Sequence, residues 1–141
     1  MEMIMFKRAV TTVVAALSIV ATAAGVSSAA TPFNGNCQTA EFCIYKGTNY
    51  TNGIADFTGS NAQYMPAGAP YFVNTGDSVN DDAGSSWNKS VGNPVRAYVE
   101  SNYGGASVYH QASIGICGGG YCNKYSDLGT FNNHFSSHLF L

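Results

Sequence analysis

From residue 31 onward the apolar positions come in short runs, and none follows the 3.6-residue period of an amphipathic helix. Phe42-Cys43-Ile44-Tyr45, Tyr71-Phe72-Val73, Val95-Arg96-Ala97-Tyr98-Val99 and Ala106-Ser107-Val108-Tyr109 are aromatic and β-branched, with Gly, Asn and Thr between them. Short strands separated by Gly-rich turns predict an all-β sandwich. Before residue 31 the pattern is different. Lys7 and Arg8 precede an uncharged run from Ala9 to Ala24, and the small residues Ser28-Ala29-Ala30 follow. This is the three-part layout of a secretory signal, so 1–30 is expected to be a leader cleaved after Ala30, and 31–141 a single mature domain. The apolar run is short and rich in Ala and Thr, whereas a membrane span wants about 20 strongly apolar residues. No membrane association is expected once the leader is removed.

Aligning the mature chain with itself shows a repeat. In FCIYKGTNYTNG (42–53) and VRAYVESNYGG (95–105), Tyr45 falls on Tyr98, Asn49 on Asn102 and Tyr50 on Tyr103, and each segment then reaches a Gly, Gly53 or Gly105. Further on, DDAGSS (81–86) corresponds to NNHFSS (132–137), pairing Ser85 with Ser136. Two motifs in the same order at similar spacing predict two copies of one unit of about 50 residues, about 37–92 and about 93–141. An aromatic, four residues, an aromatic and then Gly suits a folded hairpin. The first Tyr packs across it, and the Gly takes a backbone angle closed to other residues. Paired Asp or Asn followed by Ser-Ser suits a tight loop whose side chains satisfy local backbone groups.

Composition narrows the class. Only 10% of the 141 residues are charged, against about 25% in an ordinary soluble domain, and the formal net charge is −2. That gives no basic face for nucleic acid. With 45% hydrophobic and 13% aromatic residues, the chain is not of the disordered type either. The four cysteines, Cys37, Cys43, Cys117 and Cys122, all lie beyond the leader, and an even count in a small exported chain reads as two disulfides. Three pairings exist; the spacing favours Cys37–Cys43 and Cys117–Cys122, each closing its own short loop. A four-Cys zinc site is disfavoured by export and by Cys-x5-Cys and Cys-x4-Cys spacings.

The two motifs in both halves resemble the βγ-crystallin superfamily, whose hallmark is aromatic-x4-aromatic-x-Gly with Asn/Asp-Asn/Asp-x-x-Ser/Thr-Ser in two Greek-key units. The resemblance implies one all-β, βγ-crystallin-like sandwich with Ca²⁺ as its possible cofactor. In calcium-binding members each loop offers the carbonyl at its third position and the hydroxyl at its fifth. Carried over, this nominates Ala83 and Ser85 in one site and His134 and Ser136 in the other, with Asp81, Asp82, Asn132 and Asn133 supplying charge and scaffold. Oxygen ligands on a loop suit such a hard cation. Asn132-Asn133 brings less charge than Asp81-Asp82, and Asn80-Asp81 offers a competing register for the first loop.

The leader, the run CQTAEFCIY and the later CGGGYC are together similar to the streptomycete metalloproteinase inhibitor family. These are small exported single-domain crystallin folds with two disulfides. The similarity implies a secreted, monomeric peptidase inhibitor that blocks an extracellular metalloprotease through the loop Cys117, Gly118, Gly119, Gly120, Tyr121 and Cys122. In that family the bond offered to the protease follows the first Cys of this loop, here Cys117-Gly118. Gly118 stands where a thermolysin-type protease takes a bulky apolar side chain. The alternative is a calcium-binding structural or stress protein with no protease partner; a toxin-like or wall-binding protein ranks third.

No enzyme is expected. Ser85, His110 and Asp127 could be assembled into a hydrolytic triad on paper, but no Gly-x-Ser-x-Gly elbow is present. His134 and His138 have the four-residue spacing of a helical metal pair, but they lie in a loop-forming context without the accompanying Glu. Trp87, the sole Trp, is expected in the core or between the units. Tyr and Asn could form a carbohydrate-binding surface, although nothing in the sequence places them together.

Overall fold

The computed structural model describes residues 30–65, 70–112 and 123–141. Its strands are β1 (Phe42–Tyr45), β2 (Ile54–Phe57), β3 (Ser85–Asn88), β4 (Val95–Glu100), β5 (Gly104–His110), β6 (Lys124–Tyr125) and β7 (Ser137–Phe140). They form two antiparallel sheets, ordered β2-β1-β3-β6 and β5-β4-β7. Among the described residues no helix is long and apolar enough to cross a membrane.

The repeat is visible in the pairing. β1 lies between β2 and β3, with Ile44 opposite Ala55 and Ser86. β4 lies in the same way between β5 and β7, with Ala97 opposite Val108 and His138. Each unit also lends a piece of chain to the other sheet. β6 of the second unit pairs with β3 of the first, Ser86 opposite Tyr125. In return, Asn61 and His138 exchange backbone hydrogen bonds, both 2.9 Å, and Tyr64 N–H reaches the Ser136 carbonyl at 2.9 Å. The two Greek keys are therefore interlocked.

Both hairpins turn as their Tyr and Gly residues require. Asn49 and Tyr50 take φ of 53° and 61°, and their counterparts Asn102 and Tyr103 take 56° and 63°. Tyr45 packs edge-on against Tyr50 at 5.5 Å, and Tyr98 lies 5.9 Å from Tyr103. Gly105 has φ of 73°, and a Cβ there would stand 2.7 Å from Val99 Cγ2, so glycine is required.

The core lies between the sheets and is centred on Phe42, Ile44, Tyr64, Phe72, Val95 and Phe135. In β4 the alternation is plain, with Val95 and Ala97 buried and Arg96 exposed. One expected strand is absent. Tyr71 makes only an isolated bridge to Ser78, and Phe72 accepts turn bonds from Thr75 and Gly76, so this run is a turn anchored by one buried ring. Conversely, of the Ser-Ser pairs expected in loops, Ser85-Ser86 opens β3, and Ser136-Ser137 leads into β7 with Ser137 as its first residue.

Candidate functional site

The loops joining into β3 and β7 lie against each other. Asp81 N–H donates to the Phe135 carbonyl at 3.0 Å, and Asn133 N–H donates to the Ala83 carbonyl at 2.9 Å. Asp81 and Asn133 also share the left-handed backbone conformation, φ of 54° and 59°. Reciprocal bonds of this kind fix which residues are equivalent.

Ser85 makes the same contacts as Ser137. Ser85 Oγ donates to the Gly47 carbonyl at 2.7 Å and accepts from Tyr50 N–H at 2.9 Å. Ser137 Oγ donates to the Glu100 carbonyl at 2.6 Å and accepts from Tyr103 N–H at 3.1 Å. The sequence pairing of Ser85 with Ser136 is thus off by one residue. The matching loops are Asn80-Asp81-Asp82-Ala83-Gly84-Ser85 and Asn132-Asn133-His134-Phe135-Ser136-Ser137, the competing register seen at Asn80-Asp81. Gly84 stands opposite Ser136 for a steric reason: a Cβ at 84 would lie 2.6 Å from the Lys46 carbonyl oxygen.

This register changes what each loop offers a cation. In the first loop the Ser85 hydroxyl is fully buried and already bonded twice, and position five has no side chain. In the second loop the Ser136 hydroxyl donates to Asp81 Oδ1 at 3.2 Å, bringing a carboxylate from the first loop beside it. Asn80 Nδ2 donates to the other Asp81 oxygen at 2.6 Å. Asp82 points elsewhere: Lys46 Nζ lies 3.2 Å from it and 2.6 Å from Asp77. The adjacent carboxylates Asp81 and Asp82 are therefore separated by having different partners. His134 is exposed, and its Nδ1 bonds the Asn132 carbonyl at 2.5 Å. Among the described residues no group of three or more His, Cys, Asp or Glu side chains gathers to hold a metal ion.

Cys37 and Cys43 form a disulfide, as their spacing predicts, with Cα atoms 5.9 Å apart. The loop Cys117, Gly118, Gly119, Gly120, Tyr121, Cys122, with the second disulfide expected to close it, lies outside the described residues; in sequence it belongs to the connection between β5 and β6.

Two histidines missed as a pair are both strongly perturbed. His110 ends β5 and His138 lies in β7; both are fully buried, with Phe42 between them at ring distances of 4.9 and 5.1 Å. His138 Nε2 faces the Gly59 carbonyl at 2.8 Å, and Nδ1 faces Tyr64 Oη at 2.6 Å. His110 Nε2 faces Ser86 Oγ at 2.7 Å, and its Nδ1 is buried with no hydrogen-bond partner among the described residues. Burial in this apolar setting disfavours the imidazolium, so His110 is pushed down to about 3 and His138 to about 4. They are neutral core residues. The paper triad fails accordingly: His110 bonds Ser86 rather than Ser85, and the Asp127 carboxylate accepts from Gly129 N–H on the surface. Trp87 is half-buried on β3, opposite Lys124 of the second unit, so it sits at the seam between units rather than in the core.

Comparison with known proteins places this geometry. A family model described as peptidase inhibitor family I36 matches residues 30–110. No curated protein matches the chain. Among solved structures, one concerned with the evolution of the eye-lens βγ-crystallin domain fold is 16% identical. It covers 76% of this chain and 90% of its own, with a TM-score of 0.55. A βγ-crystallin from Ciona intestinalis is 12% identical over 72% of this chain and 99% of its own, TM-score 0.51. A double mutant of a βγ-crystallin domain from Clostridium beijerinckii is 19% identical over 72% and 97%, TM-score 0.51. The fold is the βγ-crystallin sandwich.

Proposed function

Because the chain belongs to peptidase inhibitor family I36, we propose that it is a secreted inhibitor that binds and blocks an extracellular metalloprotease. The family match carries this reading, and the Cys37–Cys43 disulfide supports an extracellular setting. The matched segment, 30–110, supports membership and not the position of the inhibitory loop. That loop is assigned to 117–122 on its Cys-x4-Cys sequence and on its place between β5 and β6.

The chain acts by binding and catalyses nothing. A substrate-like segment closed by a disulfide loses little freedom when it docks, so more of its contact energy appears as affinity. Gly118 fills no apolar pocket after Cys117, so contacts outside the scissile bond contribute most of the affinity. The test is titration of thermolysin with the purified mature protein. Inhibition at micromolar concentration that disappears in the Cys117→Ser, Cys122→Ser double variant is expected; no inhibition by the native protein rejects the reading.

A second reading has its own support. Between the paired loops the Ser136 hydroxyl stands beside the Asp81 carboxylate, joining a hydroxyl and a charge as a hard cation needs. Calcium there would involve the His134 carbonyl, Ser136 and Asp81, and the first loop would contribute no fifth-position ligand. A calcium-dependent rise in melting temperature, abolished by Ser136→Ala, is the expected outcome.

A further inference from the structure

Outside the paired loops, the described surface holds an open groove of about 350 Å³ between the 35–37 segment and the β1–β2 hairpin. Its lining carries no carboxylate, ammonium, guanidinium or imidazole group. Asn36, Asn52 and Asn74 supply three primary amides, and Tyr45, Tyr50 and Thr51 supply hydroxyls and two aromatic rings. Trp87 extends the aromatic surface, its ring 5.7 Å from Tyr50, which is itself 5.5 Å from Tyr45. All three rings are half-buried, so part of each remains open to solvent.

The repeat separates what the fold needs from what it does not. Tyr45 and Tyr50 have counterparts in Tyr98 and Tyr103 and serve the hairpin. Trp87 has none: it pairs with Cys43 as Leu139 pairs with Arg96, so the equivalent position holds Leu. Nor does a hydrogen bond explain the indole, since Trp87 Nε1 has no acceptor among the described residues. The groove wall is also rigid. The fully buried Asp56 accepts from Asn34 and Gly35 N–H groups, both at 3.0 Å, and the disulfide fixes Cys37. Lys89 Nζ donates to the Cys37 carbonyl at 2.7 Å and stands 5.1 Å from the Trp87 ring, joining wall and platform.

We propose that this groove binds an extended neutral saccharide. A pyranose presents a face of positive C–H edges, which the negative face of an aromatic ring attracts, and a rim of hydroxyls that both donate and accept. Primary amides do both as well, which an array of carboxylates or ammonium groups cannot. The groove lining itself carries no charged side chain, which favours a neutral ligand over an anionic or cationic one, and Lys89, at the Trp87 ring, is engaged by the Cys37 carbonyl. Lys124, 5.2 Å from the indole, is exposed and its flexible side chain can leave that face for solvent. This binding does not depend on protease inhibition.

The test uses the full mature chain, titrated with cellohexaose, xylohexaose and N-acetylchitohexaose. Because Trp87 is the sole Trp and its ring touches Tyr50 of the groove, its fluorescence reports the aromatic surface, and calorimetry provides a second readout. At least one neutral hexasaccharide is expected to bind with Kd of about 10 μM to 1 mM. Trp87→Leu, which copies the second unit, and the surface variant Asn36→Ala with Asn74→Ala should each weaken binding about tenfold or more while leaving the melting temperature within a few degrees. No binding to any of the three at 5 mM overturns the proposal. So does affinity unchanged in both variants, or binding confined to an anionic polymer such as polygalacturonate.

Discussion

Acidification should unfold this protein through its two core histidines. At pH 5 an imidazole with the ordinary pKa of about 6.5 is protonated about thirty-fold over neutral, which is the state of both histidines in the unfolded chain. In the folded chain, at about 3 and about 4, both remain neutral. The unfolded state then binds about two more protons, so stability present above pH 7 declines as pH falls through 6.5 toward 4. Each histidine should account for about 2 kcal/mol lost between pH 8 and pH 5, a value insensitive to how far below 4.5 the folded pKa lies. The buried Glu41 carboxyl, raised by its own desolvation, titrates in the opposite sense and offsets part of the loss. Comparing native protein with His110→Gln removes that term, because Glu41 is common to both. Urea unfolding at pH 8 and pH 5 is the assay, and the variant's pH-dependent loss should be smaller by about 2 kcal/mol. Equal losses in the two proteins would refute a neutral buried His110.

Ser85→Ala and Ser137→Ala should each cost about 1–3 kcal/mol, since both strand a Tyr amide and a carbonyl, whereas Ser136→Ala should cost less; chemical denaturation reads the order directly. Gly105→Ala forces φ of 73° and a 2.7 Å approach to Val99, and should destabilise by about 1–3 kcal/mol, while Gly59→Ala meets open space and should change little in the same assay. Replacing Cys37 and Cys43 together by Ala should cost about 2 kcal/mol of stability, the entropy of a short loop, and should weaken saccharide binding by freeing the groove wall.

The repeat was legible because it rests on residues with narrow roles. A glycine at φ of 73° or 91° and a tyrosine folded over its own hairpin leave a fixed interval in the sequence. The loop register was less legible, because Ser-Ser repeats itself and slips by one without visible penalty. What decides it is the Lys46 carbonyl, 38 positions before Gly84, whose approach excludes any side chain there. Tyr71–Val73 read as a strand because its residues suit one, yet only Phe72 is buried, and its neighbours turn away. The histidines escaped notice because a fully buried imidazole needs Phe42, Tyr64 and Ser86 around it, and these converge only in three dimensions. The groove was anticipated as residue types without a location. Asn36 and Asn52 come together because Asp56 ties the 33–35 segment back onto the hairpin, and Asn74 joins them because Val73 N–H donates to the Ile54 carbonyl at 2.8 Å.

Because β6 completes the first sheet and residues 61–64 complete the second, neither half carries a full set of strand partners of its own. A lone copy of the unit would expose a sheet edge and half of a core, and the partner best shaped to cover them is another copy of itself. The present chain thus has the architecture of two such subunits joined head to tail in one molecule. A single chain frees the halves from identity. Leu139 and Trp87, or Ser136 and Gly84, could diverge within one molecule, giving one half a chemistry that a symmetric pair would have had to carry twice.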